Sequence, residues 1–514
     1  MAYAIGIDLG TTNSVVSIFR RGEVETLPIE GRFTMPSVVS VRSDGSMLVG
    51  QPAKARMLLD PENTVASAKR FMGDRSQVYC IGGKSLSPTD IGSIVLRRLV
   101  DTTHEALKEK IRDAVITVPA YFTEAQKEDT KRAGEKAGLN VLRLISEPTA
   151  AAIAYGLDKG RDQTIMVYDL GGGTFDVSIL AVKGNRFEVK AVGGDSRLGG
   201  DDLDEAIMNW AGIQFQTKTG IDLLGNTTRD GRIVRQRLKE AAEAAKIELA
   251  QATSAMLEVP DCLGRPLELE LSLSQYNKLI EPLLQRTVKC MRTVLQDAKL
   301  GAEEIDRVIL VGGSTRNQAV RLIVAREIKE PFISERVDEV VAHGAAIMAA
   351  NLSSPEEDVL PIEVTDVTAH SLGVGMIEEL DCPEKLVFVP VIPRQIVYPC
   401  RYGRLAYTIY PGQEIVRSRV FRGENSDPDR NTYLGELLLP ISPPQPEKVP
   451  IGIIFNLDAD GIIEFTMVQL PIHQSVIEPI LQYAAMTGGQ LYLPLVNQLI
   501  ETGSLKMKTV NVKS

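Results

Sequence analysis

Two segments of the chain share one pattern of apolar and polar positions: an apolar run, a short turn rich in glycine and threonine, and a second apolar run. They are GIDLGTTNSVVSIF at 6–19 and VYDLGGGTFDVSIL at 167–180, which match at a constant offset of 161 residues. Two apolar runs joined by so tight a turn predict a β-hairpin in each copy. A P-loop would instead lead from a strand into a helix. The pattern therefore predicts a duplicated hairpin.

Each predicted hairpin has a carboxylate at the end of its first strand, Asp8 in one copy and Asp169 in the other. The glycines could serve only to allow positive φ in ordinary turns, but two turns with matched acids favour a shared anion site. Backbone N–H groups in such turns can approach phosphate oxygens, whereas carboxylates join a phosphate only through a cation such as Mg²⁺. We therefore expect the two turns to hold a magnesium nucleotide. The expected phosphate donors are Gly10, Thr11, Thr12 and Asn13 on one side, and Gly171, Gly172, Gly173 and Thr174 on the other.

Two more segments have clear helix signals. A strand followed by a helix is predicted over 116–139, where Thr123 and Gln126 have the spacing of a capping box. A short alanine-rich helix is predicted over 145–157. Glu147 lies at its N-terminal end, where the helix dipole favours a carboxylate, although it could serve only as a cap.

Three other segments carry weaker signals for a site. A helix is predicted over 235–250, with Glu243 and Lys246 on one face, where they could simply pair with each other in solvent. Lys69 is by default a surface lysine. The run VILVGGSTR at 308–316 predicts a strand and a glycine turn that a flat ring or a ribose could approach.

Composition narrows the function classes. A length of 514 residues suggests about three or four domains, and a net charge of -10 argues against nucleic-acid binding. The five cysteines contain no CxxC pair, which argues against a disulfide framework or a zinc site and favours a reducing compartment.

The N-terminus lacks the pattern of a signal peptide. The uncharged stretch 479–500 contains two glycines and two prolines, which favours two short packed helices over a membrane span. We expect a cytoplasmic protein with no membrane partner.

Several motifs, taken in order, resemble one family. They are IGIDLGTTNS, VPAYF, EPTAAAIAYG, DLGGGTFDVSIL, LGGDDLD, VGGSTR and HGAA, all within residues 1–352. This region resembles the ATPase domain of the seventy-kilodalton heat-shock chaperones of the DnaK type. The resemblance implies an α/β fold of the actin-like or hexokinase-like kind, in which two lobes built on duplicated ribonuclease-H-like halves close over Mg–ATP.

Carried over by position, the resemblance implies a role for each matching residue. Asp8 and Asp169 would hold the waters of Mg²⁺, and Lys69 would lie near the γ-phosphate and the attacking water. Glu147 and Asp176 align with residues that hold metal and orient water. The implied catalytic residues are Lys69, Glu147, Thr174 and Asp176. The nucleoside side would be lined by Gly199, Gly200, Glu243, Lys246, Gly312, Gly313, Ser314, Arg316 and Asp338. The reaction would be slow hydrolysis of ATP to ADP and phosphate, accelerated mostly by positioning and electrostatics.

The remainder of the chain resembles the rest of such a chaperone. We expect an acidic loop and apolar interdomain linker over 353–364, a β-sandwich peptide-binding domain over 365–470, and a short atypical C-terminal segment over 471–514 without the family's full helical lid. The resemblance implies interdomain coupling through Pro119, Lys127, Val359, Leu360 and Ile362, although the last three could simply begin the next strand. Val374, Ile377 and Val416 are expected to line a peptide groove.

Two substitutions in the ATPase region depart from the family pattern. Lys127 stands where the family usually has an arginine that relays between VPAYF and the second domain, and arginine offers a rigid fork that lysine lacks. Ala250 replaces a common serine near adenine.

We expect an ATP-dependent chaperone that binds unfolded polypeptides as a monomer, with a J-domain co-chaperone and a nucleotide-exchange factor as further partners. One alternative is a nucleotide-gated module that hydrolyses ATP weakly and binds one dedicated partner. A second, a sugar kinase or filament-forming relative, is disfavoured by the apolar linker and the β-rich second domain.

Overall fold

The computed structural model describes residues 3–156, 162–334, 336–353, 361–377, 385–441, 445–471, 474–502, 505 and 507–510. The chain divides into two compact units, Met1–Thr365 and Asp366–Ser514.

The first unit is mixed α/β. Its strands are β1 (Ile5–Asp8), β2 (Asn13–Arg20), β3 (Glu23–Thr26), β4 (Met35–Pro36), β5 (Val39–Val41), β6 (Met47–Val49), β7 (Thr64–Val65), β8 (Tyr79–Ile81), β9 (Lys84–Leu86), β10 (Asp113–Val118), β11 (Asn140–Ser146), β12 (Gln163–Leu170), β13 (Phe175–Lys183), β14 (Arg186–Asp195), β15 (Ser254–Val259), β16 (Leu267–Ser272), β17 (Arg307–Val311), β18 (Phe332–Ile333) and β19 (Glu363–Val367), which ends in the second unit. Its α-helices are α1 (Gln51–Arg56), α2 (Pro88–Leu107), α3 (Glu124–Lys136), α4 (Glu147–Gly156), α5 (Gly200–Thr219), α6 (Arg229–Glu248), α7 (Leu273–Ala298), α8 (Gln318–Glu327) and α9 (Val340–Ser353). Short 3₁₀ helices cover Pro61–Asn63, Ala68–Phe71, Ala302–Glu304 and Gly313–Arg316.

The sequence duplication is also a duplication of sheet topology. Sheet I has the strand order β11-β10-β1-β2-β3, and sheet II has the matching order β18-β17-β12-β13-β14. In both sheets the first three strands run parallel, and the next two pair antiparallel. Both predicted hairpins, β1–β2 and β12–β13, are therefore confirmed.

Local signals account for the helices that begin near the sheets. Helix α3 starts at the predicted capping box: Gln126 N–H donates to Thr123 Oγ1 at 3.2 Å, and Thr123 N–H donates to Gln126 Oε1 at 2.9 Å. The alanine-rich segment forms α4, with Glu147 in its first turn. Each sheet packs apolar side chains into its own buried core, one of which includes Ile5 and Leu96 and the other Tyr168 and Phe175.

Helices α4 and α9 approach each other closely because their contact residues are small. A Cβ atom placed on Gly344 of α9 would lie 1.8 Å from the carbonyl oxygen of Ala150 in α4. A Cβ atom on Gly6 of β1 would lie 2.0 Å from the backbone nitrogen of Ala346. Glycine is therefore required at both points, since any side chain would force the backbones apart. Through these contacts α9, which follows sheet II in the chain, packs on sheet I.

The second unit is rich in β-strands. Its strands are β20 (Leu372–Ile377), β21 (Leu386–Ile392), β22 (Val397–Tyr398), β23 (Cys400–Tyr407), β24 (Ile415–Arg422), β25 (Thr432–Pro440), β26 (Pro450–Leu457), β27 (Ile463–Gln469) and β28 (Met507–Val510). Its helices are α10 (Gln474–Met486), α11 (Leu493–Glu501) and a 3₁₀ turn at Pro428–Arg430. Sheet III has the order β21-β20-β24-β25 and sheet IV the order β23-β26-β27-β28.

Sheets III and IV share one hydrophobic core. Val374 and Leu437 from sheet III pack in it with Ile453 and Phe455 from sheet IV. The hairpin β26–β27 forms as predicted, and Gly461 in its turn has a φ of 73°. The shared core makes these two sheets the two layers of the unit.

The C-terminal helices add a third layer on the other face of sheet IV. Leu405, Ile454 and Val468 of sheet IV pack against Ile480 and Val496 of α10 and α11. The chain then returns as β28, which pairs antiparallel with β27. The C-terminal segment is thus part of the packing of the second unit. No helix in the described ranges is both long enough and apolar enough to cross a membrane.

Candidate functional site

A cavity of about 650 Å³ opens in the first unit where the turns of the two copied hairpins meet. Turn I (9–12) follows β1 and turn II (171–174) follows β12, and further walls come from α1, α5, α6 and the 3₁₀ helix Gly313–Arg316, among other segments. Most of the predicted site residues line this cavity: Asp8, Gly10, Thr11, Thr12, Asn13, Lys69, Glu147, Asp169, Gly171, Gly172, Thr174, Gly200, Glu243, Lys246, Gly312, Gly313, Ser314, Arg316 and Asp338. Gly173, Gly199 and Asp176 are not among the lining residues.

Turns I and II touch each other directly. A Cβ atom on Gly172 would lie 1.9 Å from Oγ1 of Thr12, and one on Gly173 would lie 2.7 Å from Cγ2 of Thr11. Gly199 has a packing role, because a Cβ atom there would lie 2.5 Å from the backbone nitrogen of Gly173. The glycines of turn II therefore allow the two hairpins to close on a common space.

Acidic side chains gather beneath the two turns. Burial and, to a lesser extent, the nearby Glu147 carboxylate together raise the pKa of Asp8 to about 7, against the opposing effects of Lys69 and of the hydrogen bond from Thr117. Thr117 Oγ1 donates that bond to Asp8 Oδ1 at 2.9 Å. Burial also raises the pKa of Asp169 well above its ordinary value, with further contributions from nearby carboxylates. The carboxyl groups of Asp8, Glu147 and Asp169 share one nearby ammonium group among these effects, that of Lys69.

Asp176 belongs to this cluster electrostatically although it lies behind the cavity wall. Burial, together with the nearby Glu147 carboxylate, raises the pKa of Asp176 to about 7. The backbone N–H of Tyr121 donates to Asp176 Oδ1 at 2.8 Å and partly offsets the effect of burial. Tyr121 follows Pro119 in the loop after β10, so this bond fixes that loop to β13.

Lys69 is buried, which corrects the default reading of a surface lysine. Its Nζ lies 2.6 Å from Oε1 of Glu147, and both side chains are largely shielded from solvent. The ammonium also lies 5.5 Å from the centre of the Phe122 ring. A buried cation is thus held against a carboxylate at the cavity wall.

Helix α6 forms the opposite wall. Glu243 and Lys246 do not pair with each other: Glu243 accepts from Lys54 Nζ at 3.3 Å, and Lys246 Nζ lies 2.7 Å from Asp204 Oδ1. Lys246 also donates to the carbonyl of Gly200 at 3.1 Å. Burial raises the pKa of Asp204 to about 6, against the opposing effect of Lys246. Both predicted residues thus hold the cavity wall in place.

The glycine turn after β17 packs against turn II. Gly312 has a φ of 84°, and a Cβ atom there would lie 2.4 Å from the carbonyl oxygen of Leu170. Ser314 Oγ donates to the carbonyl of Gly171 at 3.0 Å, and Arg316 Nη2 lies 2.7 Å from Asp338 Oδ2. The turn is therefore held close enough to sheet II to form the floor of the cavity.

The sequence model of the Hsp70 protein family matches residues 4–480. The chain belongs to the Hsp70 family. Members of this family are ATP-dependent chaperones: they bind and hydrolyse ATP, generally with Mg²⁺, and they bind unfolded polypeptides and co-chaperones. The match covers most of both units.

The predicted coupling residues of this Hsp70 chain are placed as follows. Pro119 follows β10 and is buried, and Lys127 is buried in the first turns of α3. Val359 and Leu360 lie outside the described residues. Ile362 is buried directly before β19.

The first residues of β19 extend sheet II. Glu363, Val364 and Thr365 pair in parallel with Arg186, Phe187 and Glu188 of β14. The carboxylate of Glu363 lies 2.8 Å from Arg186 Nη2, and Asn185 donates through its side-chain amide to the carbonyl of Pro361.

The three predicted peptide-groove residues differ in exposure. Ile377 and Val416 are partly exposed. Val374, however, is fully buried in the core between sheets III and IV, so its side chain has no surface facing an open groove. This position does not fit our expectation.

Sequence reasoning missed several residues that shape the site. Lys54 has no local signal, because its partner Glu243 lies 189 residues away. Thr117 is one residue of a largely apolar strand, β10, and nothing in that pattern indicates a role for it. Asp204 lies in the Gly/Asp-rich segment LGGDDLD, whose density of acids was the available clue.

Proposed function

We propose that this chain is a Mg²⁺-dependent ATPase of the heat-shock chaperone type, which hydrolyses ATP slowly and couples hydrolysis to the binding of unfolded polypeptide segments. The observation that carries the proposal is the carboxyl cluster of Asp8, Glu147 and Asp169 with Lys69, enclosed between two glycine turns that touch. Such a cluster has little use in a purely structural protein, because burying like charges together costs stability.

The residues present suit a hydrated magnesium ion. Burial and mutual repulsion destabilise the ionised forms of Asp8 and Asp169, so a divalent cation would relieve both. Among the described residues, no group of three or more His, Cys, Asp or Glu side chains is arranged to ligate a metal. Mg²⁺ commonly keeps several waters and uses one or two carboxylates together with phosphates. We therefore propose that Asp8 and Asp169 hold the ion mainly through its waters; when bound, it would neutralise phosphate charge.

The protein's own side chains and backbone groups would then position the phosphates and the attacking water. Turn I, through Thr11, Thr12 and the backbone up to Asn13, and turn II, through Gly171, Gly172 and Thr174, would bind the phosphates with N–H and hydroxyl donors. Lys69 would hold the γ-phosphate and, with Glu147, orient a water for in-line attack. Asp176, one layer behind, would hold the surrounding groups in place. These groups would accelerate hydrolysis by positioning and electrostatics, without a covalent step.

The coupling that we propose runs through the segment after α9. Glu363–Thr365 add a strand to the edge of sheet II through β14, and Ile362 is buried beside it. Strand pairing at this edge would shift the conformational equilibrium of the first unit. Pro119 lies in the loop whose Tyr121 is bonded to Asp176, and Lys127 lies on α3, the helix that follows this loop. Allosteric coupling of this kind is typically about 1–3 kcal/mol. In this proposal the second unit binds peptide near Ile377 and Val416. A J-domain co-chaperone and an exchange factor would act on the first unit, and the protein would work in a reducing compartment such as the cytoplasm.

The deciding experiment measures ATP turnover by the full chain with and without an unfolded peptide, in Mg²⁺ and in EDTA. We expect turnover to require Mg²⁺ and to rise when peptide is added. The variant Asp169→Asn should weaken Mg–ATP binding by at least about tenfold, since an ion ligand loses its charge. Turnover that peptide does not change, with ATP binding intact, would reject coupling and indicate a nucleotide-gated binder. No nucleotide binding at all would reject the whole proposal.

A further inference from the structure

Thr117 is a buried hydroxyl residue in an otherwise apolar stretch of β10. Residues 114–118 read AVITV, and all five are shielded from solvent. Strand β10 lies parallel to β1, and the pairing of Ile116 with Ile7 leaves Thr117 beside Asp8. The hydroxyl donates to Asp8 Oδ1 at 2.9 Å. A residue of the sheet interior is therefore bonded directly to an acid that lines the cavity.

The acceptor of this bond is unusual for a buried threonine. A buried hydroxyl needs an acceptor, and a main-chain carbonyl commonly serves. Thr103 shows that common arrangement, since it is also fully buried and donates to the carbonyl of Leu99 in its own helix at 2.8 Å. Thr117 instead donates to a carboxylate, and hydrogen bonds to ionised acceptors are roughly twice as strong as neutral ones. The hydroxyl thus fixes one oxygen of the Asp8 carboxylate.

The second hairpin has a valine at the matching position. In sheet II the strand beside β12 is β17, and the residue paired with Asp169 is Val311, whose side chain has no hydrogen-bond donor. The carboxylate of Asp169 instead lies against the glycine turn, where a Cβ atom on Gly312 would be 2.7 Å from Asp169 Oδ1. The two matched acids are therefore held differently, Asp8 by a hydroxyl donor and Asp169 by close packing.

We propose that Thr117 is a positioning residue for magnesium binding: its hydroxyl holds one oxygen of Asp8 and leaves the other for a water of the ion. The inference rests on the proposed function and specifies how the magnesium site is prepared before the ion binds. Threonine suits this role because its β-branched side chain has few rotamers. Removing a partner that orients a metal-binding group from behind typically lowers metal affinity by about 10- to 100-fold.

The test compares ADP binding with and without the ion, so it needs no turnover. Calorimetry on the full chain gives the dissociation constant of ADP in Mg²⁺ and in EDTA, and the ratio of the two constants is the gain due to magnesium. Thr117→Val keeps the shape of the side chain but removes the donor. We expect this gain to fall at least about tenfold, while the constant in EDTA changes by less than about twofold. Thr117→Ser restores a hydroxyl and should recover the gain to within about threefold.

Thr103→Val is the matched control, because it removes an equally buried hydroxyl that lies outside the cavity lining. It should leave the gain unchanged. The inference is overturned if Thr117→Val keeps the full gain, if both constants weaken equally, or if Thr117→Ser behaves like Thr117→Val. In each of these cases magnesium still strengthens ADP binding by the unmodified chain, and the proposed function stands. If the unmodified chain shows no gain, the proposed magnesium site fails and the inference fails with it.

Discussion

Asp169 pairs directly with Asp176 across the second hairpin, whereas Asp8, its counterpart in the first hairpin, pairs with Val15. The two copies thus share the acid beside the turn but differ in the residue opposite it. The extra carboxylate lies on sheet II, behind the cavity wall. The asymmetry therefore adds a buried acidic group on one side of the cavity only.

The variant Asp176→Asn tests the importance of that extra carboxylate. An asparagine oxygen can still accept the N–H of Tyr121, which is bonded at 2.8 Å, so the loop should keep its place. We expect turnover to fall by at least about tenfold while the dissociation constant of ATP changes by less than about threefold, because only positioning in the transition state is lost. Single-turnover hydrolysis and calorimetry separate the two effects. Asp195→Asn is the control, since Asp195 pairs with Arg286 and does not line the cavity; equal losses in both variants would contradict the role of Asp176.

Lys69 should be needed for turnover and also for stability. Lys69→Met removes the charge near the bound phosphate, and we expect at least about a hundredfold loss of turnover with ATP binding retained. It also leaves Glu147 buried and unpaired, which should lower the free energy of unfolding by about 3 kcal/mol. Urea titration of the single variant and of Lys69→Met with Glu147→Gln checks this. The double variant should recover most of the lost stability, and if it is no more stable than the single one, the ion pair is not the cause.

The pair Lys54–Glu243 joins the two walls of the cavity and should slow nucleotide release. Its Nζ–Oε1 distance is 3.3 Å, and both side chains are partly exposed, so its effect on stability should be below about 1 kcal/mol. We expect Lys54→Glu to speed ADP release about threefold and the exchange of both charges, with Glu243→Lys added, to restore it. Stopped-flow release of a fluorescent ADP measures both rates. A double variant as fast as the single one would show that attraction between these side chains is not involved.

Two neighbouring carboxyl groups, Asp204 and Asp201, should each make the free energy of unfolding depend on pH. Their contributions should change in opposite directions as the pH changes. The folded-state pKa of Asp204, about 6, lies above its ordinary value of 3.8, so the folded state binds this proton more tightly than the unfolded state does. This contribution is therefore lost as the pH rises from about 4 to 6, by up to about 1.4 kcal/mol per pH unit. Asp201 is also buried, which alone would raise its pKa, but Lys239, Ser67 and Arg70 hold the pKa below its usual range. Its contribution is present at neutral pH and is lost as the pH falls.

Urea unfolding between about pH 3 and pH 7 checks both signs without added nucleotide, because the contribution of Asp201 is lost only near and below about pH 4. The stability difference between the unmodified chain and Asp204→Asn should move in favour of the unmodified chain as the pH falls. The difference from Asp201→Asn should move the other way. Parallel pH profiles for the two variants would contradict the assigned environments.

The parts of this structure that could be predicted from sequence are those fixed by neighbouring residues. Both hairpins, the capping box at Thr123 and the turn at Gly461 depend on local propensities, and each formed as expected. The pairing of Lys69 with Glu147 spans 78 residues, so no local pattern could show it. The burial of Val374 likewise depends on how sheets III and IV pack.

The C-terminal helices are a further example. Their sequence predicts two short helices, but it does not predict that they cover one face of sheet IV. Leu491, in the loop between α10 and α11, packs over two glycines of sheet IV: a Cβ atom on Gly403 would lie 3.0 Å from Leu491 Cβ, and one on Gly452 would lie 2.9 Å from its Cδ2. Leu491 is 4% exposed. Leu491→Ala should therefore leave a cavity and lower the free energy of unfolding of the second unit by about 2 to 4 kcal/mol.

Leu438→Ala is the matched control, since Leu438 lies on sheet III and is 43% exposed; it should cost less than about 1 kcal/mol. Urea unfolding of the full chain, followed by hydrogen exchange of β26 and β27, distinguishes the two variants. Protection of these strands should fall in Leu491→Ala because sheet IV is buried on both faces and the helices supply one of them. Equal, small effects from both leucines would show that α10 and α11 contribute little to the stability of the second unit.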